Sequence, residues 1–533
     1  MANSNTTNSD SFIFHENSKT EPYYTTTTNN AISLNTSNNK IVDFFMMMGR
    51  DLSDENLDKY MEDCCKIDPH MTMAILYNAR DRNNGKKEKN VSNRGMLWFI
   101  NNRKYNTYDK NINTYINKYG CWKDLLYIMT KMPKNSTNDE IELIAKQLME
   151  DKKNLDENPD AKISLCAKWA PSENNHYDKK RDCAKKIANF ITNYDKKALE
   201  IYRKEYLKPL RAKINIVESM MCKKKWEEII YEKVPGVASN RLKNAFLKND
   251  TERYNKYLSE VRSGEKKINV TGILPHELVN HYLKDNEYNE SIELQWKTIL
   301  KNIKELGLFE KLLPVVDVSA SMFSANNGSI PAQVSIAMGI LISQCTKGVF
   351  EKKVITFSET PKFHEIRGES LYEQVKDIRE MNWGGSTNFE SVSDLIIDMG
   401  IKYRLSDNDM PKKLVILSDM QFDHAQYNGY NNDNNDNNDN NDNKIELLYE
   451  TINKKYKASN YSAPKFIYWN LNSDYNNTFP VDISTNGTAL ISGFSEQLLK
   501  IFMEYDDFTP ELVVNGILSK YMSDVYIDMN EFK

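Results

Sequence analysis

Asp317-Val-Ser319-Ala-Ser321 places a carboxylate and two hydroxyls at alternate positions directly after the apolar run LLPVV. Downstream, Gly384-Gly385-Ser386-Thr387 precedes a helix-like segment, and Asp419 follows the apolar run LVILS. Hydroxyl and carboxylate oxygens are hard ligands, suited to Mg²⁺ or Mn²⁺ rather than to zinc. Two serines, a threonine and two aspartates, with water, complete an octahedron and leave one position open. An acidic partner can supply the missing oxygen. The chemistry implied is metal-bridged binding, with no nucleophile or general base in evidence.

Such residues act together only if the fold brings them to one edge. From Lys311 onward, short apolar runs rich in β-branched residues alternate with helical ones, the pattern of a parallel sheet with crossover helices. Strands are predicted at 312–318, 353–357, 414–418, 466–471 and 489–492. Helices are predicted at 331–345, 371–378, 389–405, 445–456 and 496–505. The natural assembly over 306–506 is a doubly wound, Rossmann-like α/β domain. Ligands bind such sheets beyond the carboxyl ends of the strands, where Asp317, Thr387 and Asp419 are expected.

Residues 41–305 read as an all-α half. Thr137-x-x-Glu140 has the form of a capping box, and Ile141, Ile144, Ala145 and Leu148 follow on one helical face. Stacked helical pairs of the HEAT type fit this region. Residues 1–40, rich in Ser, Thr and Asn, read as a disordered tail. An Asn/Asp-rich insertion at about 427–443 reads as a solvated loop, because it lacks the glycine and glutamate an EF-hand loop requires. Residues 507–533 read as a C-terminal helical extension.

Composition excludes several classes. The chain has 533 residues and a net charge of −4, so as a whole it is no polycation. Its seven cysteines are scattered without C-x-x-C spacing, which argues against a disulfide framework or zinc cluster. The N-terminus MANSNTTNSD is polar, with no signal-peptide pattern, and the apolar stretch Val334–Cys345 is too short to span a bilayer. The expected place is intracellular and cytoplasmic, or a particle assembled there, with no membrane partner. His276-Glu-Leu-Val-Asn-His281 misses H-E-x-x-H by one residue, with Asn280 where the second histidine should stand. No P-loop, G-x-G-x-x-G or G-x-S-x-G occurs. The chain reads as a non-enzyme.

Asp317, Ser319, Ser321, Thr387 and Asp419 resemble, residue by residue, the metal-ion-dependent adhesion site of von Willebrand factor A domains. That resemblance implies that the serines and threonine ligate the ion directly, that the aspartates act partly through water, and that the ion bridges to an acidic protein ligand. A haloacid-dehalogenase-type phosphatase also begins with a strand-end aspartate, but a second aspartate would be needed where Ser319 stands. The helical half carries Arg80-Asp81-Arg82, Gly85-Lys86, Gly120-Cys-Trp122-Lys-Asp124, Lys168-Trp169-Ala-Pro171, Pro209-Leu210-Arg211 and Leu274-Pro275-His276-Glu277. With the α/β half and the terminal PELVVNGILSKYMSDVY, this resembles a eukaryotic and giant-virus family described as a domain of unknown function. A lean to Asn, Lys, Ile and Tyr fits an AT-rich genome. The two-part plan is also similar to the Ro (TROVE) RNA-binding proteins, and that similarity implies RNA on the helical half as an alternative.

Residues 201–270 supply a local reason to consider RNA: 17 Lys and Arg stand against 9 Asp and Glu. Arg203, Lys204, Lys208, Arg211, Lys223, Lys224 and Lys225 are the candidate phosphate contacts. Tyr202, Tyr206, Trp226, Tyr231, Tyr254 and Tyr257 are the candidate stacking platforms. The same pattern also suits a lysine-rich solvated face over an aromatic core.

Overall fold

The structure is a computed structural model. It describes residues 24–102, 108–132, 139–179, 181–285, 287–305, 309–323, 331–357, 361–380, 388–423, 447–473, 478–500 and 508–527. The first 23 residues of the expected tail, Thr137, the Asn/Asp-rich insertion and Thr387 lie outside these residues.

Between Lys40 and Glu305 the described chain forms helices and their connections. The helix Pro69–Arg80 shows why. Asp68 accepts hydrogen bonds from the His70 and Met71 amides, and Pro69 occupies the first turn, where its missing N–H costs nothing. Almost the whole helix is buried, because Asp54–Ile67, Lys89–Asn101 and Pro510–Met522 pack around it. The last of these returns from the far end of the chain. Its Tyr521 hydroxyl donates to Asp81 Oδ2 at 3.0 Å and accepts from Asn78 at 3.3 Å. In the helix Asp139–Glu157 the expected face, Ile141, Ile144, Ala145 and Leu148, is buried.

Two strands precede the helices, β1 (Tyr24–Thr26) and β2 (Ile32–Leu34), paired antiparallel. This corrects the tail expected over 1–40 in its described part, 24–40. Composition hid the hairpin because its partners are remote: Thr27 donates to the Phe422 carbonyl at 2.7 Å, and Leu34 bridges Phe479.

After the helical half come β3 (Phe309–Glu310), β4 (Leu312–Val316), β5 (Thr346–Lys347), β6 (Lys353–Thr356), β7 (Lys362–Glu365), β8 (Lys413–Ser418), β9 (Lys465–Asn470) and β10 (Thr488–Ser492). Six form one sheet in the order β10-β9-β8-β4-β6-β7, while β3 and β5 pair separately. Every neighbouring pair in the six-stranded sheet is parallel except β6–β7. The sheet is therefore mixed, and β7 was missed. Its sequence KFHE lies on an edge, half exposed, and lacks the apolar run of a buried parallel strand. β4 is buried at all five positions. The helix Pro331–Cys345, predicted with the same bounds, is apolar on all sides because it lies between β4 and the helix Pro275–Lys284 of the helical half. Gly339 permits its close approach, since a Cβ there would meet Val316 Cγ2 at 2.5 Å. The last predicted helix, 496–505, is a short 3₁₀ turn at Glu496–Lys500 in its described part. All seven cysteines are free, and no described helix is long and apolar enough to cross a membrane.

The two halves share one apolar core and are tied by polar contacts. Lys86 is fully buried. Its amine donates to the carbonyls of Phe45 and Met48 and, at 2.7 Å, to the Ser492 hydroxyl at the end of β10. Burial pushes its pKa well below the ordinary lysine value, opposed by the Glu88 charge. Lys87 pairs with Glu496 at 2.8 Å and Arg50 with Glu88 at 3.1 Å. Elsewhere along the junction, Glu293 accepts from the Leu371 and Tyr372 amides at 2.9 Å each, capping a helix of the other half. Substituting Lys86→Met, which keeps length and apolar contact, removes the donor while its acceptors stay buried. The expected loss is about 1–3 kcal/mol, read as a lower midpoint in urea denaturation. An unchanged midpoint would show that the amine does not hold the halves together.

Candidate functional site

β4 and β8 lie side by side and parallel, so the residues after their last positions emerge at the same edge of the sheet. Those residues are Asp317 and Asp419. The Asp317 amide donates to the Leu417 carbonyl and to Ser335 Oγ, 3.1 and 3.0 Å away. This fixes the end of β4 against both β8 and the first turns of the helix Pro331–Cys345. Asp317 Oδ1 accepts from the Ser319 amide at 2.9 Å, and Oδ2 accepts from the Ser418 hydroxyl at 2.5 Å. The Ser319 and Ser321 hydroxyls lie 3.0 Å apart. Asp419 Oδ1 accepts from the Gln421 amide at 3.2 Å, whereas its Oδ2 is buried without a hydrogen-bond partner.

Both aspartates are deeply buried, at 0% and 2% exposure. Burial raises the Asp317 pKa, and the neighbouring Asp419 charge raises it further, while the Ser418 and Ser319 donors oppose the shift. Burial also raises that of Asp419, offset in part by the nearby Ser321 hydroxyl and the Gln421 amide. Two carboxylates thus share a dry edge with hydroxyls and amides and no ion pair to either among the described residues. The donor set suits a hard divalent cation, and the orphaned Oδ2 is an acceptor with a ligand still to find. Four of the five expected site residues, Asp317, Ser319, Ser321 and Asp419, come together. Thr387 lies outside the described residues, but Asn388 immediately after it caps the helix Phe389–Lys402 through its side chain. Among the described residues no group of three or more His, Cys, Asp and Glu is placed to hold a metal, so carboxylate clustering alone would not flag this edge. Ser418 and Ser335 were missed by sequence reasoning. Ser418 had one available signal, its position directly before Asp419.

The basic region fares differently. Met220, Ile229, Tyr231, Val234, Phe246, Tyr254, Tyr257 and Leu258 form part of a small core of their own. Tyr231, Tyr254 and Tyr257 are buried in it, and Tyr202 is buried with its hydroxyl on the Pro171 carbonyl. These four are therefore core residues rather than platforms for bases, and only Tyr206 and Trp226 keep partial exposure. Arg211 is committed to structure, donating to the Ala167 and Ala170 carbonyls and to Ser172. Lys204 pairs with Glu200 and Lys225 with Glu228. Arg203, Lys208, Lys223 and Lys224 stay exposed.

Comparison with known proteins places the chain. Residues 27–143 and 140–309, together more than half of it, match the model of a domain of unknown function, DUF2828. Residues 311–522 match another, DUF7788. The chain belongs to the DUF2828 family. Uncharacterized protein L728 of Acanthamoeba polyphaga mimivirus is 33% identical over 533 residues, covering 94% of this chain and 88% of that protein. The giant-virus family expected from the helical-half motifs is thus the right one. Among solved structures, the Deinococcus radiodurans RO (RSR) protein aligns with 91% of this chain and 100% of its own, at 10% identity and a TM-score of 0.34. A likeness that slight carries no argument about fold or function.

In this DUF2828 chain the carboxylate pair has a direct stability consequence. Asp419→Asn keeps an oxygen for the Gln421 amide and removes one of two buried like charges. In EDTA the variant is expected to be more stable than the parent by on the order of 1 kcal/mol. A lower denaturation midpoint would mean that the Asp419 charge is already compensated.

Proposed function

We propose that the chain is a non-enzymatic binding protein. In this reading its α/β half is a von Willebrand A-like domain that holds Mg²⁺ or Mn²⁺, and through the ion an acidic protein ligand. Asp317, Ser319, Ser321 and Asp419 would hold the ion, with Thr387 completing the set. The helical half, read as HEAT-like pairs, serves as scaffold. The observation that carries this is the pair of buried strand-end carboxylates with only hydroxyl and amide partners and one oxygen unused. Uncompensated buried charge is costly, and a divalent cation is a compact way to offset two carboxylates at once. A bound ion supplies a positive centre with one open position for a partner's carboxylate. Ser418 and Ser335 orient Asp317 behind it. Mg²⁺ is expected to raise the melting temperature of the full chain, and Asp317→Ala or Thr387→Ala to abolish that shift while the fold persists by circular dichroism. The same variants should lose any protein partner captured in Mg²⁺ and released by EDTA. A melting temperature indifferent to Mg²⁺ and EDTA in the parent would refute the metal site.

A second reading, RNA on the helical half, is favoured by the exposed cations Arg203 and Lys208, beside residues of the main core, and Lys223 and Lys224, which follow Met220 of the small separate core. The burial of the tyrosines weakens it. If it holds, an oligouridylate binds with an affinity that falls steeply with salt, and Lys223→Glu with Lys224→Glu lowers the salt slope by about 1 for each phosphate no longer neutralised. Affinity and slope unchanged in the double variant would rule this surface out.

A further inference from the structure

A cleft of about 370 Å³ opens beside the strand-end carboxylates. It lies where three helices meet: Pro275–Lys284 from the helical half, Pro331–Cys345, and the end of Leu371–Arg379. Its apolar lining is Leu283, Ile336 and Phe323. Phe323 ends the short helical turn Ala320–Phe323 that carries Ser321, and Ile336 follows Ser335, whose hydroxyl accepts from the Asp317 amide, so two lining residues adjoin residues of the carboxylate edge. This phenylalanine is 44% exposed, so part of its ring faces outward at the cleft. Lys284 and Arg379 also line the cleft; both are exposed, and among the described residues no carboxylate lines it. In a chain of net charge −4, a cleft whose described lining holds two cations and no acid is a local inversion of sign. Asn280 adds an acceptor, since its Oδ1 is buried without a hydrogen-bond partner.

We propose that this cleft is a second contact point for the ligand of the carboxylate edge, and that the ligand is an acidic peptide segment that inserts a leucine- or phenylalanine-type side chain here. The proposal rests on the adhesion reading of Asp317 and Asp419. In it, one carboxylate of the peptide reaches the ion. An apolar side chain a few residues away fills the space between Leu283, Ile336 and Phe323, and further carboxylates meet Lys284 and Arg379. A peptide N–H satisfies Asn280. An apolar lining that also carries two cations suits a segment with both acidic and apolar side chains. A nucleic-acid backbone asks instead for cations in a row along a polar groove.

The test uses the full chain and fluorescence anisotropy with labelled acidic peptides that differ only in leucine or serine at one central position. Titrations are made in Mg²⁺ and in EDTA, with an oligouridylate as competitor. The leucine peptide is expected to bind roughly tenfold tighter than the serine peptide. Phe323→Ser should erase that preference, and Arg379→Glu should weaken both peptides. Both substitutions are at exposed positions, and unchanged thermal midpoints confirm that the variants fold. Equal affinity for the two peptides, with Mg²⁺ dependence intact, overturns the cleft and leaves the adhesion reading standing. A leucine preference that Phe323→Ser removes, at an affinity indifferent to EDTA, supports the cleft and overturns the adhesion reading. Absence of peptide binding in either buffer, or displacement of the leucine peptide by the oligouridylate, overturns the proposal.

Discussion

The buried amine of Lys86 is the contact on which the relation between the two halves depends. An amine taken out of water must recover all of its hydrogen bonds, and Lys86 recovers them from two carbonyls at the C-terminal end of the helix Lys40–Met47 and one hydroxyl at the end of β10. The Phe45 ring lies 4.0 Å beneath it. Separating the halves would strand the donor and its acceptors together, so the junction has no cheap partly open state at this edge. Ion pairs of the next two residues, Lys87 with Glu496 and Glu88 with Arg50, flank it. The Trp296 indole on Gln344, at 3.1 Å, and the Glu293 cap hold the junction farther along.

The carboxylate edge differs from that junction in bringing two buried carboxylates against each other. Three other deeply buried carboxylates are met by a cation or by a pair of amides: Asp124 by Arg80, Glu88 by Arg50, Glu293 by two backbone N–H groups. Each is compensated inside the chain and needs nothing further. Asp317 and Asp419 have hydroxyls and amides, which orient a carboxylate but neutralise little of its charge, and they repel one another. The pair stands together at the end of the sheet where open α/β folds bind ligands.

Much of this was legible in the sequence, for reasons that also explain what was not. A buried parallel strand is apolar at nearly every position, so β4, β8, β9 and β10 announce themselves within a residue or two. Asp317 and Asp419 were legible because each directly follows such a strand. β7 and the N-terminal hairpin were not, because one is an edge and the other is held by residues some 390–450 positions away. The aromatic residues of 201–270 were misread for a chemical reason. Tyrosine can be buried whenever its hydroxyl finds a partner, and Asp250 serves Tyr231 while the Lys267 carbonyl serves Tyr257. Lysine in GKKEK likewise gives no local sign that Lys86 is fully buried while Lys87 and Lys89 keep partial exposure.

The hairpin's position explains how the carboxylate edge keeps its shape. Met420, immediately after Asp419, has φ of 63°, a left-handed conformation that costs a residue with a side chain about 1–2 kcal/mol. A loop strained in this way relaxes unless it is held from outside. Thr28 donates to the Gln421 side chain through both its amide and its hydroxyl, each at 2.8 Å, Asn29 donates to the Gln421 carbonyl, and Asn30 bridges Asp423. The loop after β8 is thereby clamped by a segment that its own neighbourhood in sequence does not contain. Gln421, so fixed, presents the amide that holds Asp419 Oδ1 and leaves Oδ2 without a donor. Rigid support of this kind keeps a binding group pre-organised, with its strain offset by contacts outside the site.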